Sequence, residues 1–316
     1  EALALLNGTH FMAAIGALLA VRGARLLDSA DAAAALSLEA LRGAPEAFAK
    51  RVHELRPVPG QARSAAVVRA LVRGSERVGA REREVQDAYS LRCVPQVHGA
   101  AREGLGFFTR LVEADLNAVT DNPLVFGDPL EVVSAGNFHG QPLALGFDTL
   151  RLALADLASI SERRTFRLLS PSLNAGLPAF LTPEAGRSSG YMVAQYTAAA
   201  LVAELRALAH PVSIDTVPTS DNQEDHVSMG MTGALLALDA VDRVETVLAI
   251  EVLCAAQALD LVPGRPGAGT ARMHALVRER VGPLVEDRPP ADDIEAIRPV
   301  VVDGQLAGIV RELTGG

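Results

Sequence analysis

Apolar residues recur at spacings of three and four along most of the chain, which is the period of an α-helix. Between residues 8 and 27, Met12, Ile15, Leu19 and Leu26 fall on one face. In 142–168, Phe147, Leu150, Leu154, Leu157 and Ile160 do the same. In 229–261 the stripe is Leu235, Leu238, Val241, Leu248, Val252, Ala255 and Leu259. Shorter helices are predicted near 31–42, 46–56 and 62–78, with "RPVPGQ" breaking the chain between the last two, and others over 100–117 and 188–208. No strand-like alternation persists. The expected fold class is all-α, a bundle of long antiparallel helices.

Three long polar stretches, rich in Asn, Gly, Pro and His, interrupt the helices: 85–99, 117–142 and 209–228. Irregular segments of about 20 residues are uncommon inside compact domains and are often functional. The third sets Asp221, Asn222, Gln223, Glu224, Asp225 and His226 in a row before an apolar helix. Both a solvated loop that caps the helix and a polar wall of an active site fit that run. Residues 1–261 read as the helical core. Residues 262–316 read as a Pro- and acid-rich peripheral excursion closed by a short helix near 303–313.

Composition narrows the chemistry. Aromatic residues are 4 % of the chain and Trp is absent, so Ala and Leu must fill the interior, which suits close-packed helices. A formal net charge of −9, with no basic patch, argues against a nucleic-acid partner. Cys93 and Cys254 form neither a disulfide framework nor a CxxC site, which points to a reducing, cytoplasmic compartment. The longest apolar runs, such as "FMAAIGALLAV" at 11–21, look too short to span a bilayer. "EALALLNGTH" has no basic n-region and reads like the middle of a domain, so the chain is expected to be part of something longer. Lys50 is the only lysine, which disfavours Schiff-base catalysis. No HExxH or His/Cys spacing marks a metal site, and no GxSxG elbow marks a hydrolase.

A binding pattern remains. Arg92 lies three residues after Tyr89 and six after Gln86 in a Pro-bounded stretch, and a guanidinium is the natural bidentate partner of a small carboxylate. Asn7, Asn122 and Asn137 each sit in a Gly- or Pro-marked turn. Taken singly, these are a surface Arg, a core Tyr and turn-forming Asn residues. Together they describe a pocket for a zwitterionic amino acid.

"LALLNGTH", "VQDAYSLRCVPQVHGA", "NAVTDNPLVF", "SAGNFHGQP" and "PTSDNQEDHVSM" resemble the aromatic amino acid lyases, specifically their histidine ammonia-lyase branch, from residue 1 to about 261. The resemblance implies an architecture shared with the fumarase-type lyases and non-oxidative deamination of L-histidine to trans-urocanate and ammonia. It implies a homotetramer whose active sites combine loops from several subunits, with neither membrane nor nucleic acid as partner. It also implies a 4-methylidene-imidazol-5-one (MIO) prosthetic group, made from an Ala-Ser-Gly, and no metal. No Ala-Ser-Gly precedes Asn7 here, and "SAG" at 134–136 has the wrong order, so this polypeptide alone is expected to be inactive.

Carried over residue by residue, the resemblance gives Asn7 the prosthetic group's carbonyl, with Gln86 beside it and Tyr89 near the amine. Arg92, helped by Asn122, takes the substrate carboxylate, and Phe138 packs near the prosthetic ring. Met192 and Glu224 face the substrate side chain, with Glu224 reading an imidazole N–H. Asp221, Asp225 and His226 are expected to cap the 229–261 helix or brace Glu224. Relatives acting on phenylalanine or tyrosine, and aminomutases with the same prosthetic group, are the alternatives; Met192 with "NQEDHVSM" favours histidine.

Overall fold

The structure, a computed structural model, describes residues 2–80 and 85–315. Helices α1 (Ala2–Leu6) and α2 (His10–Ala40) open the chain, followed by a 3-10 turn and the short α3 (Lys50–Glu54). Next come α4 (Pro59–Leu71), α5 (Tyr89–Arg92) and α6 (Val94–Leu116). A hairpin of β1 (Leu124–Phe126) and β2 (Glu131–Val133) precedes α7 (Gln141–Leu169), and α8 (Met192–Leu208) and α9 (Gly230–Leu261) complete the bundle. The chain ends with α10 (Ala268–Arg278), α11 (Pro290–Val302) and α12 (Gln305–Thr314).

The all-α expectation holds, with the hairpin as the one exception among the described residues; strands of three residues are too short to show a period. Proline sits in the first turn of α4, α6, α7 and α11, where its missing N–H costs nothing. The stretches expected as separate helices at 8–27 and 31–42 are one helix, α2, because the Ala-rich run joining them has no breaker. α2 is long and apolar enough to cross a membrane, which the apolar runs alone did not reveal. Residues 29–40 of α2 are all buried against neighbouring helices.

Packing partners fix the directions of the long helices. His98 of α6 bonds Asp31 of α2, while Val112 lies against Gly16, so these two run opposite ways. Phe108 and His98 of α6 meet Phe147 and Arg164 of α7, again antiparallel. α8 opposes α7, with Gln195 at Glu162 and Leu208 at Arg151. α9 runs with α7, since Gly233 meets Phe147 and Glu251 meets Arg164. Thus α2, α6, α7, α8 and α9 alternate in direction. The starts of α2, α7 and α9 share one end of the bundle, and the start of α6 lies at the other.

The predicted stripes of α7 and α9 face the chain's own core: Phe147, Leu150, Leu154 and Leu157 are buried, as are Val241, Leu248, Val252 and Ala255. Leu235 departs from this and is exposed, as are Leu145 and Leu152 on the outer side of α7. Residues 262–315 are also more regular than an excursion. Met273, Val277, Ile297, Val300, Leu306 and Val310 join the same core as the long helices. Pro290 opens α11 and Asp292 and Asp293 sit in its first turn, so the acid- and Pro-rich segment is a helix start.

Candidate active site

At the end shared by the starts of α2, α7 and α9, Met12 acts as a wedge. A Cβ on Gly140 would lie 2.2 Å from its methyl carbon and one on Gly230 2.4 Å from its sulfur, so both helix starts close on it. Half-buried Asn7 precedes Gly8, which has φ +68°. A Cβ on Gly8 would stand 1.9 Å from the Thr120 carbonyl oxygen, so the Asn7 turn and the 117–142 segment touch backbone to backbone. Asn122 Oδ1 accepts from the Ala135 N–H at 2.8 Å and the Ser134 hydroxyl at 3.3 Å, which ties the hairpin's base.

A cavity of about 630 Å³ opens here, bordered by Gly8, Met12, Phe138, His139, Glu224 and Met229. Phe138 is 44 % exposed. Glu224 is exposed, in a loop beside the starts of α2, α7 and α9. Its position is nonetheless braced. Glu224 Oε2 accepts from the Thr219 hydroxyl at 2.5 Å, and the two residues exchange backbone hydrogen bonds at 3.0 and 3.3 Å. Between them Ser220, Asp221 and Asn222 have φ of +49°, +53° and +65°, a left-handed turn that costs L-residues energy and that Asn and Asp tolerate best. The expected capping is not seen: Ser228 Oγ, not Asp221, Asp225 or His226, accepts the Gly230 N–H at the start of α9, at 3.3 Å.

Gln86, Tyr89 and Arg92 lie at the other end. Gln86 is exposed, Tyr89 is 70 % exposed, and the Arg92 guanidinium stacks 4.7 Å from the Tyr89 ring centroid. The Arg92 Nε is buried and meets no hydrogen-bond partner among the described residues. Met192, half-buried, starts α8 at this same end, one turn before Gln195, whose amide donates to Glu162 at 2.7 Å.

A buried charge network supports α5. Arg164 grips Glu251 through Nε at 2.6 Å and Nη2 at 2.8 Å, and Ser37 and Ser161 donate to the same carboxylate. Arg164 Nη1 also donates to the Ser90 carbonyl in α5, at 3.4 Å, and to His98 Nε2. His98 Nδ1 in turn donates to Asp31 at 2.7 Å, and Arg102 donates to Asp31 at 2.6 Å. Burial by itself would push the Asp31 carboxyl up; Arg102 and His98 outweigh it and hold it below the usual range. Burial pushes His98 down, and the Asp31 carboxylate does not restore it, so the ring is neutral at pH 7.

The expected residues therefore fall into two groups. Asn7, Asn122, Phe138 and Glu224 gather at one end, and Gln86, Tyr89, Arg92 and Met192 at the other. Gln141 and Arg164 mark these ends on α7, about 35 Å apart at the rise of an α-helix. None of the second group lines the Glu224 cavity. Sequence reasoning missed Thr219 and His139, as well as the buried network. Single charges inside apolar runs, Asp31 in "SADAAAAL" and Glu251 in "LAIEVLCAA", were the available signal for the network.

The family model of the aromatic amino acid lyases matches residues 1–279. Histidine ammonia-lyase of Natranaerobius thermophilus is 48 % identical over 317 residues, covering 100 % of this chain and 62 % of the relative. Among solved structures, histidine ammonia-lyase from Trypanosoma cruzi aligns with a TM-score of 0.92 at 42 % identity, covering 99 % of this chain and 59 % of that one. Tyrosine aminomutase from Streptomyces globisporus aligns with a TM-score of 0.92 at 36 % identity, covering 98 % and 63 %. The chain thus spans about three-fifths of the length of these relatives.

Proposed function

The chain belongs to the aromatic amino acid lyase family, and on that premise we propose that the protein deaminates L-histidine to trans-urocanate and ammonia. The observation that carries this reading is Glu224, an open carboxylate held by Thr219 on the wall of a cavity that also presents the Phe138 ring. An imidazole N–H is a matched donor for such a group, and a phenyl ring offers it none. Arg92 supplies the second contact. Its guanidinium is steadied by Tyr89 and keeps a buried N–H with no partner among the described residues, which suits a substrate carboxylate.

Because Arg92 and Glu224 sit at opposite ends of the bundle, the site is read as composite, with each chain giving one half to each of two sites in a homotetramer. The exposed Leu145, Leu152 and Leu235 on the outer faces of α7 and α9 supply apolar surface for such packing. The residues present also fit an MIO group: Asn7 offers an amide beside the cavity, Phe138 an aromatic face, and 630 Å³ leaves room for group and substrate together. That group would supply the electrophile that makes the amine a leaving group. A cytoplasmic setting fits the two unpaired cysteines, Cys93 and Cys254.

The test is turnover by the full-length protein. Urocanate absorbance should rise with L-histidine, with one ammonia released per product. Absorbance of cinnamate from L-phenylalanine or coumarate from L-tyrosine, with no urocanate from L-histidine, reassigns the substrate. A β-amino acid formed without ammonia makes the protein an aminomutase, the reading favoured by the likeness to tyrosine aminomutase. Glu224→Ala should lower kcat/KM about 100-fold, or ~3 kcal/mol, the scale of a lost hydrogen bond to a charged group.

A further inference from the structure

His139 stands in the turn before α7, and backbone groups hold both of its ring nitrogens. The Gln141 N–H points at Nδ1 from 3.3 Å, and the His226 carbonyl oxygen lies 3.0 Å from Nε2. A backbone N–H can only donate and a backbone carbonyl can only accept. One protonation state meets both partners: a neutral ring with its hydrogen on Nε2. The His226 ring lies flat against it, with 5° between planes and 5.8 Å between centroids.

The position of this bond gives it leverage. Thr219 braces Glu224, and the Thr216 hydroxyl accepts the Val227 N–H at 2.8 Å; these bonds tie the 209–228 segment to itself. At its beginning the segment is fastened to α7, where Asp148 accepts the Ser213 N–H and Gln141 donates to the Ser213 carbonyl. His139 fastens the far end, two residues past Glu224, to the residue that follows Phe138. Both side chains border the same cavity.

We propose that His139 is a positioning residue for the candidate active site: as the Nε2–H tautomer it fixes the Glu224 carboxylate relative to the Phe138 ring, and through that spacing governs recognition of the substrate's side chain. It does so without touching the reacting atoms. The proposal rests on the reading of Glu224 given above.

Steady-state kinetics of the full-length protein with L-histidine test it, using His139→Gln, His139→Asn, Glu224→Gln and the double variant His139→Asn/Glu224→Gln. A glutamine amide nitrogen reaches the Nε2 position and can donate to the His226 carbonyl; an asparagine amide reaches only Nδ1. His139→Gln should stay within about threefold of the parent, and His139→Asn should raise KM about tenfold or more with a smaller change in kcat. In the Glu224→Gln background, His139→Asn should cost less than about twofold, because two residues acting through one contact are not additive. Undiminished cost in that background, or a His139→Gln variant as impaired as His139→Asn, overturns the proposal while leaving Glu224 in place. Unchanged kinetics in Glu224→Gln overturns the reading of Glu224 and the proposal with it. Independently of any variant's folding, ¹⁵N-histidine spectra should show His139 protonated on Nε2 and bare on Nδ1; the opposite tautomer also overturns it.

Discussion

His98 is the residue whose surroundings carry the clearest consequence for the folded state. It is wholly buried between a carboxylate and a guanidinium, donating from Nδ1 to Asp31 and receiving Arg164 at Nε2. A second ring proton would set an N–H against the Arg164 N–H, so the folded protein resists a proton that the unfolded chain takes up below about pH 6.5. The unfolded state then binds more protons, and stability falls as pH drops through that range. Asp31 adds a second loss further down, below the ordinary carboxylate pKa of 3.8, because its folded-state value is depressed. Thermal melts between pH 7 and 5 should therefore show a declining midpoint. His98→Asn, whose amide can still donate to Asp31, should make the decline shallower; equal slopes in parent and variant would remove His98 as a cause. In the sequence only the lone charges Asp31 and Glu251, each inside an apolar run, hinted at burial. Their partners were not legible, because Asp31, His98, Arg164 and Glu251 are separated by dozens of residues and nothing local pairs them. Glu224 is a different case: its polar neighbours suggested a candidate site, but they could not tell that the carboxylate stands open on this chain.

At the scale of elements, the long helices were legible because their apolar period repeats over many turns. Boundaries failed where the signal is one turn long. Tyr89–Arg92 reads as loop, yet it is a helical turn carrying two of the expected site residues. The β1–β2 hairpin and the helix starts at Ala268 and Pro290 were missed for the same reason. Loop placement depends on close approaches that a sequence cannot display. Gly8 is the sharpest of these, with a left-handed φ and a neighbouring carbonyl where a Cβ would go. Gly8→Ala must strain the backbone and push the Thr120 segment away. It should cost about 1–3 kcal/mol by denaturant titration and lower activity more than that loss of stability explains, since Asn7 and Phe138 lose their common frame. A variant as stable and active as the parent would show that the two segments need not touch.

At the scale of the whole molecule, the alternation of α2, α6, α7, α8 and α9 decides which loops can meet. Segments entering α2, α7 and α9 must share an end, and the segment entering α6 must lie at the other. The three polar stretches were individually visible in the sequence, but their distribution follows from helix direction, which periodicity does not encode. With roughly 35 Å of α7 between the Glu224 cavity and Arg92, one chain cannot close both around a molecule the size of an amino acid. A composite site makes a prediction that a single-chain site forbids. Full-length chains carrying Arg92→Ala should be nearly inactive, and so should those carrying Glu224→Ala. Co-expressed, they are expected to form mixed oligomers in which some sites draw their Arg92 half from one variant and their Glu224 half from the other. If halves combine at random from equal amounts, about one quarter of sites regain both intact halves, and activity should recover to that level. The recovery should appear in kcat with KM near the parent value, because each restored site is complete. Mixing the separately purified oligomers without exchange should give none. If co-expression also restores nothing while mixed oligomers are demonstrably present, then Arg92 and Glu224 do not serve one site across chains, and the assignment of the two ends to a single substrate falls.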